Sequence, residues 1–90
     1  MHDLRHNERQ RRFELHVGDA VCELDYQLSG STVVFTHTGT PPALRGQGLA
    51  AVIVQAGLQW ARDQGLKVSH GCSYVEAYFD KHPQWADLRP

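Results

Sequence analysis

The segment Arg45-Gly46-Gln47-Gly48-Leu49-Ala50 has an arginine ahead of two glycines and a long amphipathic pattern behind them. The first N–H groups of a helix lack intrahelical partners, and the helix dipole adds partial positive charge there. Glycine has no Cβ to hold an anion off. Such a junction suits a phosphate-bearing ligand. The alternative is a plain glycine turn. No Gly-Lys-Ser/Thr follows, which excludes a Walker loop. The third small residue of the dinucleotide fingerprint is also missing at its offset. Cys72 is the second candidate. It follows a glycine and precedes a helical pattern, a position that favours the thiolate. His70, two residues earlier, could assist as a base. The alternative is a small buried hydrophobe, which is the reading for Cys22, on one face with Ala20, Leu24 and Tyr26. His37 stands at the end of the stretch entering the glycine loop and could line a cleft there; otherwise it is a half-exposed strand residue. Tyr74 and Tyr78, four apart, share a helical face and read first as core. His2 and His6 lie in the amino-terminal lead-in, and His16, His37, His70 and His82 show no metal-ligand spacing, so no metal is expected.

These residues need elements to position them. Residues 1–11 show no periodicity and read as a flexible lead-in to a domain over 12–90. Phe13, Leu15 and Val17 alternate with polar residues, and Ala20, Cys22, Leu24, Tyr26 and Leu28 share one face after the Gly18-Asp19 turn. Ser29-Gly30 turns the chain again into the β-branched run 32–38. Two short turns predict an antiparallel meander, which Pro41-Pro42 ends. From Gly48 to Gln64 the spacing of Leu49, Val52, Ile53, Ala56 and Trp60 predicts a helix. Gly57 lies inside it at a cost of about 1 kcal/mol relative to alanine; a close packing contact would explain it. Leu66–Ser69 is a short strand candidate, reached by a right-handed crossover. Residues 73–81 form a second helix with Val75, Tyr78 and Phe79 on one side, and Pro83 stops it. The tail docks Trp85 and Leu88. The class is α+β: a mixed, mostly antiparallel sheet with two main helices.

Ninety residues make one domain with one core. Nine Lys+Arg against ten Asp+Glu give a formal net charge of -1, which provides no general attraction to nucleic acid or an anionic membrane. Arg5, Arg9, Arg11 and Arg12 cluster near the amino end but read as a solvated arm. No apolar run approaches the ~20 residues a membrane span needs, and the polar amino end is no signal peptide. Two cysteines are no disulfide framework. A reducing, cytoplasmic setting is the default expectation.

The glycine loop resembles the acyl-CoA-binding signature of the GNAT acetyltransferase superfamily, Gln/Arg-x-x-Gly-x-Gly/Ala, through Arg45, Gly48 and Ala50. The wider chain, from about Arg12 to Leu88, is similar to the small single-domain GNAT-like family. The shared stretches are Arg12-Phe13-Glu14-Leu15, Phe35-Thr36-His37-Thr38, Pro42-x-Leu44-Arg45-Gly46-Gln47-Gly48-Leu49-Ala50, Gly65-Leu66-Lys67-Val68, Cys72-Ser73-Tyr74-Val75 and His82-Pro83-x-Trp85-Ala86-Asp87-Leu88. The resemblance implies a trimmed GNAT-type fold and acetyl-CoA as substrate. It places the pyrophosphate on Arg45, Gly46, Gln47, Gly48, Leu49 and Ala50, and the pantetheine arm along Thr38, Gly39 and Thr40. It sets Cys72 near the thioester, and makes Tyr74 a candidate to protonate the departing thiolate. His37 or His70 would deprotonate an amine-bearing acceptor, either a small molecule or a protein.

Two departures stand out. The family has Glu-Val before the loop proline, where this chain has Gly39-Thr40; that acid could orient an acceptor. The family has proline two residues before the cysteine, where this chain has His70-Gly71. Three functions follow: an acyl-CoA-dependent N-acyltransferase, a CoA-binding module without turnover, or a nucleic-acid accessory domain led by the arginine arm. A monomer or weak homodimer is expected, since an exposed sheet edge can pair.

Overall fold

The computed structural model describes residues 3–90, apart from the side chain of His70. His2 lies outside the described residues. Five strands form one sheet in the order β1-β2-β3-β4-β5. Strands β1 (Asp3–Asn7), β2 (Arg12–Val17), β3 (Ala20–Ser29) and β4 (Thr32–Gly39) are an antiparallel meander. Helix α1 (Leu49–Asp63) crosses over to β5 (Lys67–His70), which lies parallel to β4. Helix α2 (Ser73–Lys81) and a 3-10 helix (Pro83–Leu88) complete the chain.

Strand β1 corrects the expectation of a flexible lead-in over residues 1–11. Asp3–Asn7 pair with β2 from Asp3↔His16 to Asn7↔Arg12. An edge strand needs little apolar pattern, and only one residue here supplies an inward anchor. The His6 ring stacks on Phe13 at 4.0 Å, meets Trp60 edge-on at 4.8 Å, and lies 2.6 Å from the Tyr26 hydroxyl through Nε2. A histidine acting as an aromatic gives no apolar signal in sequence.

The core lies on one face of the sheet. Phe13, Leu15, Cys22, Leu24, Tyr26, Val33, Phe35 and Val68 are buried there beneath α1 and α2. The intervening residues Arg12, Glu14, His16, Glu23 and Asp25 remain part-exposed on the other face. Two layers result, with helices on one side of the sheet. Trp85 and Leu88 are buried, so the tail docks as expected, and the Arg62 guanidinium lies 4.4 Å over the Trp85 ring.

Helix α1 sits rotated from the expected stripe. Its buried residues are Leu49, Ile53, Val54, Gly57, Leu58 and Ala61, whereas Val52 is 48% exposed. Gly57 faces the sheet at the point of closest approach. A Cβ there would stand 2.9 Å from Leu24 Cδ2 and 3.0 Å from Phe35 Cζ. The glycine that weakens the isolated helix is the residue that seats it.

Strand β4 breaks step once. Tyr26 pairs with Phe35, but Asp25 pairs with His37, leaving Thr36 as the extra residue of a β-bulge. Phe35 and Thr38 therefore both face the helices, while Thr36 and His37 both face away. The β4–β5 ladder stops at Phe35↔His70, and the Gly71 N–H donates to the Phe35 carbonyl at 3.0 Å. Beyond that bond β4 runs on to Gly39 and the chain after Gly71 turns into α2. The two strands part where the bulge begins.

Candidate active site

The loop between β4 and α1 is held at both ends by apolar anchors. A 3-10 turn (Pro42–Leu44) buries Leu44, and the first residue of α1 buries Leu49. The residues between are exposed. Gly46 and Gly48 have φ of 81° and 72°, left-handed values that L side chains avoid. Gly48 is the N-cap of α1. It supplies no side-chain cap, and the first turn holds no acidic residue. The opening N–H groups of a fifteen-residue helix thus meet no competing anion from their own turn. The Arg45 Nε–H donates to the Thr40 carbonyl at 3.3 Å, which ties the arginine to the strand side of the loop.

A cavity of about 360 Å³ opens at this junction. Thr38 and Thr40 wall it on the strand side, and Leu44, Arg45, Gly46 and Gly48 on the loop side. Leu49 and Ala50 form its helix wall, and Tyr74 closes it from α2. The structure therefore brings together seven of the nine residues assigned to the cofactor, with Tyr74 beside them. Gln47 is exposed and outside the wall, and Gly39 sits between two wall residues without lining it.

Cys72 joins this cavity through Thr38. Its Sγ lies 3.5 Å from Thr38 Oγ1 at the gap between the parted strands. Cys72 is the N-cap residue of α2 and is part-buried. Burial pushes its pKa up, but the Thr38 hydroxyl and the backbone N–H groups of Val75, Tyr74 and Thr38 together pull it lower, and the net shift is downward. Cys22 is its opposite: fully buried, with burial raising its pKa against a weaker pull from Thr40.

His37 does not line this cavity. It is exposed and paired with Asp25 on the helix-free face, because the bulge turns it over. The backbone of His70 ends β5; its side chain is not described. The Thr38–Cys72 contact had no signal in the sequence, since the bulge at Thr36 that turns Thr38 inward leaves no mark there. Among the described residues no group of three or more His, Cys, Asp or Glu could hold a metal, and no helix is long and apolar enough to cross a membrane.

A strand that parts from its parallel neighbour, a glycine loop and an open helix N-terminus meet at one end of the sheet. Residues 12–88 match the family of GCN5-related N-acetyl-transferases, and the chain belongs to it. The chain is similar to Protein NATD1 from Homo sapiens, 30% identical over 81 residues, which cover 87% of this chain and 72% of that one. Protein NATD1 from Xenopus tropicalis is 27% identical over 81 residues, with 87% and 74% covered. The fold matches the solution structure of a GCN5-like protein from Staphylococcus aureus with a TM-score of 0.79, at 22% identity, over 98% of this chain and 87% of that one. The α+β class with a mixed five-stranded sheet is the GNAT fold.

Proposed function

We propose that the chain is an acetyl-CoA-dependent N-acyltransferase. The observation that carries this reading is the shared cavity of Thr38, the glycine loop, the α1 N-terminus and Tyr74, with Cys72 bonded to Thr38 at its edge. Backbone N–H groups of Gly46 to Ala50 would hold the pyrophosphate, with Arg45 adding charge. The strand end from His37 to Thr40, on the edge that β5 leaves after Phe35, would bond the pantetheine arm, and one of its N–H groups would polarise the thioester carbonyl.

Two routes lead to the amide. In the first, the neutral amine attacks the thioester carbon, the C–N bond forms, the nitrogen gives one proton to water and the C–S bond breaks; the CoA thiolate takes a proton from Tyr74 or Cys72, which is reprotonated from solvent. In the second, the Cys72 thiolate attacks first, releasing CoA as its thiolate and leaving an acyl-cysteine that the amine then resolves. The lowered Cys72 pKa supports the second. With isotope-labelled acetyl-CoA and no acceptor, wild-type protein is expected to carry the label and Cys72→Ala to carry none, as read by intact-protein mass spectrometry. Full turnover by Cys72→Ala would remove the sulfur from the reaction.

A second reading has one observation in its favour. Among the described residues the cavity wall holds no carboxylate and no imidazole, as suits a protein that binds CoA without turnover. Calorimetry showing CoA binding, with no acyl transfer to any amine or protein offered, would select it.

A further inference from the structure

A second cavity, of about 240 Å³, lies between the first turn of α1 and the length of α2. It adjoins the first. Tyr74 lines both, and Ala50 lines the first where Ala51 lines the second. Alone it is smaller than the roughly 300–1,000 Å³ that holds a whole small ligand. As a continuation of the first cavity it suits one end of a longer one.

Its walls suit a flat ring that carries a hydrogen-bond donor. Ala51 and Ala77 are small and leave room beside the aromatic residues. Tyr74 is 38% exposed, so its ring still has surface to cover. The His82 ring stacks on Tyr78 with centroids 4.0 Å apart and 17° between the planes, and both residues belong to the wall. Nucleobases stack on aromatic rings of this kind. His82 Nδ1 lies 2.9 Å from the Tyr78 carbonyl oxygen. A carbonyl only accepts, so Nδ1 carries the hydrogen. In the neutral ring Nε2 is then a bare acceptor, and adenine offers it an amino donor.

Lys81 supplies the charge. It stands in the last turn of α2 and on the cavity wall. Among the described residues its ammonium meets no carboxylate, and its neighbour Asp80 is bonded to Arg89 at 3.4 Å. No acid lines the cavity among the described residues either. An unpaired ammonium beside aromatic rings suits a phosphorylated nucleoside.

We propose that this cavity takes the adenosine end of CoA, with the adenine ring among Tyr74, Tyr78 and His82 and the 3′-phosphate on Lys81. The proposal rests on the acyltransferase reading, which places the pyrophosphate at the glycine loop. One ligand then spans both cavities past Ala50 and Ala51. Lys81 is the residue that distinguishes CoA from dephospho-CoA, which lacks only that phosphate.

The test uses the full chain, 15N-labelled, titrated with CoA and with dephospho-CoA. Both are expected to shift the amide signals of Gly46 to Ala50, and those of Ala77 and His82 as well. Calorimetry is expected to show CoA binding about tenfold more tightly than dephospho-CoA. Lys81→Gln is expected to bind the two alike, with the wild-type affinity for dephospho-CoA. Adenosine 3′,5′-bisphosphate alone is expected to shift the α2 signals and to be displaced by CoA. If it stays bound beside CoA, the cavity is a separate site for a free nucleotide and this inference falls. If CoA shifts the loop and leaves α2 unmoved, or if Lys81→Gln still prefers CoA, this inference falls and the cofactor reading stands. If CoA shifts nothing at the loop, both fall.

Discussion

Thr38 shares a hydrogen bond with the sulfur of Cys72 while walling the cavity beside it. A thiolate gains from every donor aimed at it, and burial alone would have raised this pKa. Thr38→Val keeps the shape and removes the donor. The Cys72 pKa is expected to rise, and alkylation by iodoacetamide at pH 7 to slow several-fold, with Cys22 shielded by burial in both proteins. Unchanged alkylation would show that the hydroxyl does not tune the sulfur. The cysteine itself was legible in the sequence from its glycine neighbour and the helix behind it. Its partner was not, because no rule of spacing links residue 38 to residue 72 across a parted pair of strands.

Among the elements, α1 shows how propensity and packing conflict. Its sequence pattern placed the helix within a residue of its observed ends, yet put Val52 in the buried stripe and treated Gly57 as a weakness. Periodicity finds a helix but fixes its rotation only loosely, and here backbone contact at Gly57 decides the rotation. Gly57→Ala tests that account. Helix propensity alone would stabilise the protein by about 1 kcal/mol. A Cβ 2.9 Å from Leu24 and 3.0 Å from Phe35 forces one of them aside, and overpacking of that kind costs about 1–3 kcal/mol. The variant is expected to be less stable in urea unfolding; a gain in stability would mean that the helix can lift without loss. The meander was readable because the turns and the alternation agree. Strand β1 was hidden because its one inward residue is a histidine.

At the scale of the whole molecule, that histidine ties four elements together. His6 of β1 contacts Phe13 of β2, Tyr26 of β3 and Trp60 of α1. Burial pushes its pKa below the ordinary value, against a weaker upward pull from Glu8. The folded protein therefore holds a proton on His6 less well than the unfolded chain does. This part of the stability is present in full above about pH 6.5 and is lost as pH falls from there through the folded value. The Tm is expected to drop between pH 7 and pH 5, and His6→Phe to drop less over the same interval. Equal slopes in the two proteins would place the acid sensitivity elsewhere. The open sheet face was equally hard to foresee, since alternation reports which residues are buried and not whether anything covers the rest.

The odd residue in β4 carries one more implication. Thr36 and His37 point the same way, so striking Thr36 from the chain would restore an even ladder without turning any later side chain over. Thr38 would still look toward the sulfur and His37 away from it. The bend would go, and the parting of the fourth and fifth strands beyond Phe35 and His70 is expected to go with it. A single deletion is then expected to separate the folding of the sheet from its capacity to admit a ligand.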